Sequence, residues 1–161
     1  MRDRDVERLY RAHVHKLFSF LVAQTGDRQL AEDLVAETFV KVLRGKGRFD
    51  RRKGGEKTWL YAIAVNLARD ERRRAGAEAR ALEAVIATPR PPGVSAVELV
   101  ERRDTMERAI AVLSPEERET IDLRYRADLT VPEIAHVTGE PLTTVDGRLY
   151  RALRKLRDEL G

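Results

Sequence analysis

Apolar residues recur at steps of three and four along most of the chain, the spacing that puts them on one face of an α-helix. This spacing predicts a first helix over 6–21, a second helix capped by Asp27 and a third helix capped by Thr58. Each helix has one apolar stripe, and three or four such helices can enclose a shared core. Residues 1–75 are therefore predicted to form a small helical domain.

Prolines interrupt the helical pattern near the middle of the chain. The stretch 76–96 contains Pro89, Pro91 and Pro92 and has few apolar residues, so it is predicted to be a linker with some helix persisting in its first part. Helical spacing resumes over 97–161. The predicted fold is therefore all-α, with two small helical domains joined by a proline-containing linker.

The segment 130–157 has the pattern of a helix-turn-helix, a motif that places its second helix in the DNA major groove. A capping box opens its first helix, a glycine permits the turn, and a threonine can cap the second helix, whose polar face is rich in arginine. An ordinary amphipathic hairpin with a solvated charged face is the alternative interpretation. The residues that mark the ends of these two helices are Thr130, Glu133, Gly139 and either Thr143 or Thr144. Ser114 and Glu117 form another capping box upstream, before a further predicted helix.

The formal net charge of +4 conceals an uneven distribution. Residues 1–74 hold 18 Lys and Arg against 11 Asp and Glu, whereas residues 75–161 hold 13 against 16. A basic half indicates a polyanionic partner, because Lys and Arg that displace phosphate counterions give affinity without reading sequence. DNA contact in the second half is then expected to be confined to one helix.

The composition excludes several classes of protein. The chain has no cysteine, so it has neither disulfides nor thiolate metal sites. No apolar run has the length of a membrane span and no secretory signal follows the basic start, so a cytoplasmic protein that does not insert into membranes is expected. No nucleophile–base pair, phosphate-cradling loop or metal-ligand cluster is present, which predicts neither an enzyme nor a bound cofactor or metal.

Short motifs follow one another in a fixed order along the chain. They are AEDLVAETF at 31–39, FD at 49–50, a helix running from Trp59 to Arg73, and LSPEER at 113–118 ahead of the helix-turn-helix. Their order and spacing resemble those of bacterial RNA polymerase sigma factors of the extracytoplasmic-function group. The resemblance covers most of the chain.

This resemblance implies a function in transcription initiation. Such a protein binds RNA polymerase core, directs it to specific promoters and holds the DNA open, while nucleotide addition belongs to the polymerase. Core binding, minus-ten recognition and melting are implied for residues 1–75, and minus-thirty-five recognition for residues 97–161. An anti-sigma partner and a monomeric free state are also expected.

The resemblance further implies roles for particular residues. An asparagine amide can read a base edge, whereas arginines can fix register through phosphates. Polymerase binding is implied for Asp33, Glu37 and Phe39. DNA contact on the minus-ten side is implied for Arg51, Arg52, Lys53, Lys57, Asn66, Arg69, Arg72 and Arg73. DNA contact on the minus-thirty-five side is implied for Thr143, Thr144, Asp146, Arg148, Arg151 and Arg154.

The chain departs from the family pattern in both halves. Asp146 and Gly147 stand where the family usually has lysine and serine, Ala36 where it often has glutamine, and Leu43 where tryptophan is common. Two other functions therefore stay open at this point. One is a sigma-like decoy that binds an anti-sigma factor without promoter activity, and the other is a stand-alone repressor that uses only the helix-turn-helix.

Overall fold

Seven α-helices account for the periodic apolar pattern in the computed structural model, which describes residues 1–85 and 105–161. These ranges contain no strand, and the predicted all-α fold is confirmed. No helix within them is both long and apolar enough to cross a membrane. The helices are α1 (Asp3–Thr25), α2 (Arg28–Gly45), α3 (Glu56–Val85), α4 (Thr105–Ala111), α5 (Pro115–Tyr125), α6 (Val131–Thr138) and α7 (Leu142–Leu160).

Helices α1, α2 and α3 pack around one apolar core. Leu17, Phe20 and Leu21 of α1 are fully buried, as are Val42 of α2 and Leu60 of α3. The side chain of Asp27 accepts hydrogen bonds from the first free amides of α2, so this predicted N-cap is confirmed. The chain reaches α3 through two short 3₁₀ turns, Lys46–Arg48 and Arg51–Lys53.

The predicted Thr58 cap of α3 was wrong, whereas the helix predicted to persist into the first part of the linker is present. The helix begins at Glu56, and the Thr58 hydroxyl donates to the carbonyl of Gly55, at 2.9 Å, from inside the first turn. At the other end α3 runs to Val85, through the first part of the predicted linker. The side chains described beyond Gly76 are exposed, so the high helix propensity of the alanine-rich stretch accounts for this extension. The remainder of the predicted linker lies outside the described residues.

The helix-turn-helix is formed by α6 and α7, after the lead-in helix α5. Both capping boxes are confirmed, because serine or threonine and the glutamate three residues later exchange the two expected hydrogen bonds. Gly139 ends α6 in the left-handed conformation with φ of 71°. The predicted threonine cap of α7 was wrong: Pro141 takes the N-cap position with extended backbone, and Thr143 and Thr144 lie inside the first turn.

The two halves of the molecule share a single buried cluster. Helix α3 packs against α6, and α1 packs against α5. Leu123, Ile134 and Val145 of the second half join the apolar cluster that contains Leu17 and Ala64 of the first. The face of α3 away from α1 and α2 is therefore partly covered by the helix-turn-helix half.

Two buried side-chain atoms of the described residues, the Tyr61 hydroxyl and Arg118 Nε, have no hydrogen-bond partner, and the first of them lies in the apolar core. Tyr61 of α3 is fully buried with its ring edge-on to Phe20, and its hydroxyl has no hydrogen-bond partner among the described residues. Burial raises the pKa of this hydroxyl. An unsatisfied buried hydroxyl contributes nothing favourable to offset its lost hydration.

We expect Tyr61→Phe to leave the free energy of unfolding unchanged or to raise it by up to about 1 kcal/mol, because it removes the unsatisfied group and keeps the ring. Urea unfolding followed by circular dichroism measures the change. Tyr125→Phe, at an exposed ring, is the matched control and should be neutral. A loss of more than about 1 kcal/mol in Tyr61→Phe would show that the hydroxyl has a partner.

Candidate nucleic-acid interface

Asn66 and the arginines beyond it form an exposed polar face on α3. Asn66, Arg72 and Arg73 are all exposed, and helical geometry places Asn66 and Arg73 on neighbouring rows. The guanidinium of Arg73 pairs with Asp70 on its own helix. This pair is open to solvent on both sides, so it leaves Arg73 able to exchange the carboxylate for another anion.

Arg69 lies on the same side of α3 but is engaged within the protein. Its Nε and one terminal nitrogen donate to the two carboxylate oxygens of Glu119 on α5, at 2.9 and 2.6 Å. The Glu119 side chain is only 3% exposed. This hydrogen bonding raises the pKa of Arg69 above its ordinary value. In this conformation the predicted phosphate contact of Arg69 is occupied by a carboxylate.

The loop before α3 displays basic side chains at its surface. Asp50 accepts a hydrogen bond from the amide of Arg52 and caps the second 3₁₀ turn, which leaves Arg51, Arg52 and Lys53 exposed. Phe49 of this loop packs against Trp59 of α3, with ring centroids 5.2 Å apart. Loop and helix together enclose a cavity of about 240 Å³.

Lys57 is turned toward the second half of the molecule. Its Nζ donates to the backbone carbonyl of Asp128, at 3.3 Å, and lies 3.8 Å from the carboxylate of Glu133. Lys57 and Arg69 are thus the two predicted minus-ten residues that the structure draws into contact with the helix-turn-helix half. Neither interaction could be inferred from local spacing.

Helix α7 carries a second exposed basic face. Thr143, Arg151 and Arg154 are exposed and share this face with Gly147, whereas Thr144 and Asp146 lie at its two edges. Tyr150, with 68% of its surface exposed, lies one turn before Arg154 on this face and was missed by the sequence analysis. Its position off the apolar stripe of α7 could have indicated an exposed ring.

Arg148 is held inside the helix-turn-helix. Its two terminal nitrogens donate to the two carboxylate oxygens of Glu140, at 2.9 and 2.5 Å, and its side chain is 14% exposed. This pair ties the turn to α7. Arg148, predicted to contact DNA, is therefore a structural residue of the turn in this conformation.

The exposed side of α2 combines charged and apolar residues. Asp33, Glu37 and Val40 follow one another along a single stripe, and all three are exposed. Leu43 is 46% exposed beside them. Phe39, predicted to bind polymerase, is instead 8% exposed and packs edge-on against Tyr10 at 4.9 Å. Its ring supports the helix from within and lines a groove together with Tyr10 and Phe18 of α1.

Comparison with known proteins identifies both halves. The family model for sigma-70 region 2 matches residues 9–78, and that for sigma-70 region 4 matches residues 103–156. The RNA polymerase sigma factor CarQ of Myxococcus xanthus is 31% identical over 96% of this chain and 88% of its own length. The extracytoplasmic-function (ECF) sigma factor SigL of Mycobacterium tuberculosis is 31% identical over 95% of this chain and 89% of its own.

Two solved structures share the fold. The sigma factor RpoE, in complex with the anti-sigma factor NepR from Bartonella quintana, superposes with a TM-score of 0.76 at 23% identity, over 98% of this chain and 97% of that chain. CnrH, in complex with the cytosolic domain of CnrY, gives a TM-score of 0.73 at 24% identity, over 99% and 89%.

The fold and its exposed basic faces define a helical transcription factor that binds DNA through a helix-turn-helix. The chain belongs to the extracytoplasmic-function group of the sigma-70 family, as the sequence analysis predicted. As a sigma factor, it directs RNA polymerase core to specific promoters.

The Glu140–Arg148 pair makes a pH-dependent contribution to stability. Hydrogen bonding from Arg148 lowers the pKa of Glu140 below its ordinary 4.5. A carboxyl with a depressed folded-state pKa stabilises the fold fully above its unfolded pKa and loses that contribution as the pH falls through the folded value.

We expect Glu140→Gln to lower the free energy of unfolding by about 1–2 kcal/mol at pH 7. The difference from the native chain should shrink as the pH falls below 4.5 and disappear once Glu140 is protonated in the folded state. Chemical unfolding at a series of pH values measures it. Glu159→Gln, at an exposed site on α7, is the control. A penalty that does not change with pH would contradict the ion-pair explanation.

Proposed function

We propose that this sigma factor opens and reads the minus-ten region with α3 and the loop before it, and reads the minus-thirty-five element with α7. The observation that carries this proposal is that Asn66 and Arg73 are exposed two turns apart on one face of α3, with Arg72 exposed beside Arg73, after a loop that displays three more basic side chains. The proposed boundaries are 1–75 for the first domain, 76–96 for the linker and 97–161 for the second domain.

Strand opening requires contacts that exist only once the strands have separated. Base stacking is lost on opening, and a protein offsets that cost by holding the displaced strand through its backbone and its unstacked bases. Arg51, Arg52 and Lys53 supply charge for the backbone. The Asn66 amide, with a donor and an acceptor, suits a base edge. Arg73 fixes the register through a phosphate.

Docking on polymerase is proposed for the exposed stripe of α2. Asp33 and Glu37 would face a basic surface, and their solvent exposure supports this role. Val40 and Leu43 add apolar area to the same surface and replace the buried Phe39 in the proposed contact. Burying such exposed apolar side chains is the usual source of affinity between proteins.

Reading of the minus-thirty-five element is proposed for Arg151, Arg154 and Tyr150. Arg can donate two hydrogen bonds to guanine, and the exposed Tyr150 ring adds apolar area in the groove. Asp146 can accept from the amino group of cytosine but repels phosphates, so this chain is expected to read a sequence different from that of relatives with lysine there.

An anti-sigma partner is also proposed. RpoE and CnrH, which share the fold, are described in complex with NepR and with the cytosolic domain of CnrY, respectively. These complexes support the proposal that a protein of this class binds the present chain and regulates it. The free chain is proposed to be monomeric and cytoplasmic.

The direct test is transcription of a fragmented genomic library by bacterial core polymerase, with and without this protein. We expect discrete new transcript starts that share an upstream minus-ten motif, and mapping them reveals any minus-thirty-five motif read by α7. Polymerase binding without new starts would instead identify a decoy. Tight duplex binding by the free protein, with no effect on core polymerase, would identify a repressor.

We expect Asn66→Ala and Arg73→Ala to reduce promoter opening about tenfold or more, because each removes a contact made to the opened strand, while binding to core polymerase stays unchanged. Permanganate footprinting measures opening, and fluorescence anisotropy measures polymerase affinity. The matched control is Arg74→Ala, at an exposed arginine on another side of the same helix. Equal losses of opening and of polymerase affinity would refute the assignment.

A further inference from the structure

The exposed face of α7 has a gap at its centre. Gly147 lies one turn after the exposed Thr143 and one turn before the exposed Arg151, on the side opposite the buried Val145 and Leu149. Building on the minus-thirty-five role proposed above for α7, we propose that Gly147 determines which sequence the helix reads. The missing side chain makes room for the guanidinium of Arg151, which binds a guanine of the element.

The stability of the fold does not explain a glycine at this position. Glycine in the interior of a helix costs stability relative to alanine, because it loses more backbone freedom on folding. The backbone of Gly147 is helical, without the positive φ that favours glycine elsewhere in the chain. Apart from its two chain neighbours, the one side chain of the described residues within 4 Å of a Cβ at position 147 would be that of Arg151. Packing within the described chain therefore does not require a glycine either.

The guanidinium of Arg151 occupies the space over Gly147. A Cβ at position 147 would lie 3.3 Å from Nη1 of Arg151, which is closer than an ordinary van der Waals contact. Side chains of a helix lean toward its N-terminus, so this guanidinium lies about one turn before its own Cα. Its cover agrees with the partial exposure of Gly147, which lies at the centre of an otherwise exposed face.

Arg151 is available to bind a partner outside the protein. Within the described part of the chain it makes no hydrogen bond or ion pair, whereas Arg148, three positions earlier, is bound by Glu140. The fork of N–H donors in Arg151 is therefore unoccupied. Guanine presents two acceptors, O6 and N7, to the major groove, and a bidentate arginine on these two atoms is the commonest specific contact to a base.

The gap lies in the part of α7 that matters for base reading. In a helix-turn-helix, the N-terminal residues of the second helix contact the base edges. Gly147 lies in the second turn of α7, and the guanidinium of Arg151 is drawn into the same turn. The major groove is about 12 Å wide, so a helix with its side chains nearly fills it. A side chain at position 147 would hold the guanidinium away from the helix and out of register with the guanine.

This role gives a physical meaning to one departure from the family pattern. Gly147 stands where the family usually has serine, and the serine would place a Cβ in the space that Arg151 uses here. The departure then changes the sequence that α7 reads and does not abolish reading. Gly147 is a positioning residue in this scheme, and Arg151 is the residue that touches the base.

The experiment measures the base preference of the holoenzyme at each position of the upstream element. One promoter is taken from the mapped transcript starts, its minus-thirty-five element is randomised, and the templates that core polymerase transcribes with the native or variant protein are sequenced. We expect the native holoenzyme to prefer guanine at one position about tenfold, which is the usual size of a bidentate arginine contact.

We expect Gly147→Ala to lower this guanine preference about fivefold, at the same position where Arg151→Ala and Arg151→Lys remove it, because lysine keeps the charge but lacks the fork. Gly147→Ala combined with Arg151→Ala should lose no more than Arg151→Ala alone, because the glycine acts through the arginine. Gly147→Ala should also raise the melting temperature of the free protein, which excludes unfolding as the cause of the lost preference.

The matched control is Arg154→Ala, at an exposed arginine two turns beyond Gly147. It should change the preference at a different position and combine additively with Gly147→Ala. An unchanged guanine preference in Gly147→Ala overturns the inference, and so does a change at a position that Arg151→Ala does not affect. If neither Arg151→Ala nor Arg154→Ala alters any preference, the minus-thirty-five role proposed for α7 fails, and the inference fails with it.

Discussion

The structure depends on one interaction, the buried ion pair that joins Arg69 of the first half to Glu119 of the second. A carboxylate with 3% exposure is tolerated only when its charge is compensated, and both oxygens of Glu119 are satisfied by a single guanidinium. If the halves separate, both ions are hydrated again, and this hydration offsets part of the attraction that is lost. The pair therefore specifies how the two halves pack on each other, while the shared apolar cluster supplies most of the burial.

Local features of the fold could be predicted from the sequence because their partners lie within a few residues. Thr130 and Glu133 are three positions apart, and Gly139 needs only its own backbone freedom to end α6. Prediction failed where local signals competed. Thr58 and Thr143 are both acceptable caps by residue type, but α3 and α7 begin two and one residues earlier, respectively. The persistence of α3 to Val85 was predicted, and it reflects the helix propensity of the alanine-rich stretch.

The sequence predicts which types of residue form the candidate site, but not which of their side chains are free to contact DNA. Asn66 and Arg154 are exposed, as their place off the apolar stripes indicates. In the sequence, Arg69 and Arg148 cannot be distinguished from the exposed arginines, yet in the structure each is bound by a glutamate. Glu119 is 50 positions from Arg69, and no periodicity connects them. Phe39 is buried, as its place on the apolar stripe of α2 indicates.

The charge asymmetry of the chain indicates two kinds of anionic partner, and the sequence alone predicts only the external one. A first half with 18 basic against 11 acidic residues indicates a polyanionic partner, and the second half, with 13 against 16, is itself acidic. In this structure the second half supplies anions to the first, through the carboxylates of Glu119 beside Arg69 and Glu133 beside Lys57. DNA must therefore compete with an intramolecular partner at high effective concentration.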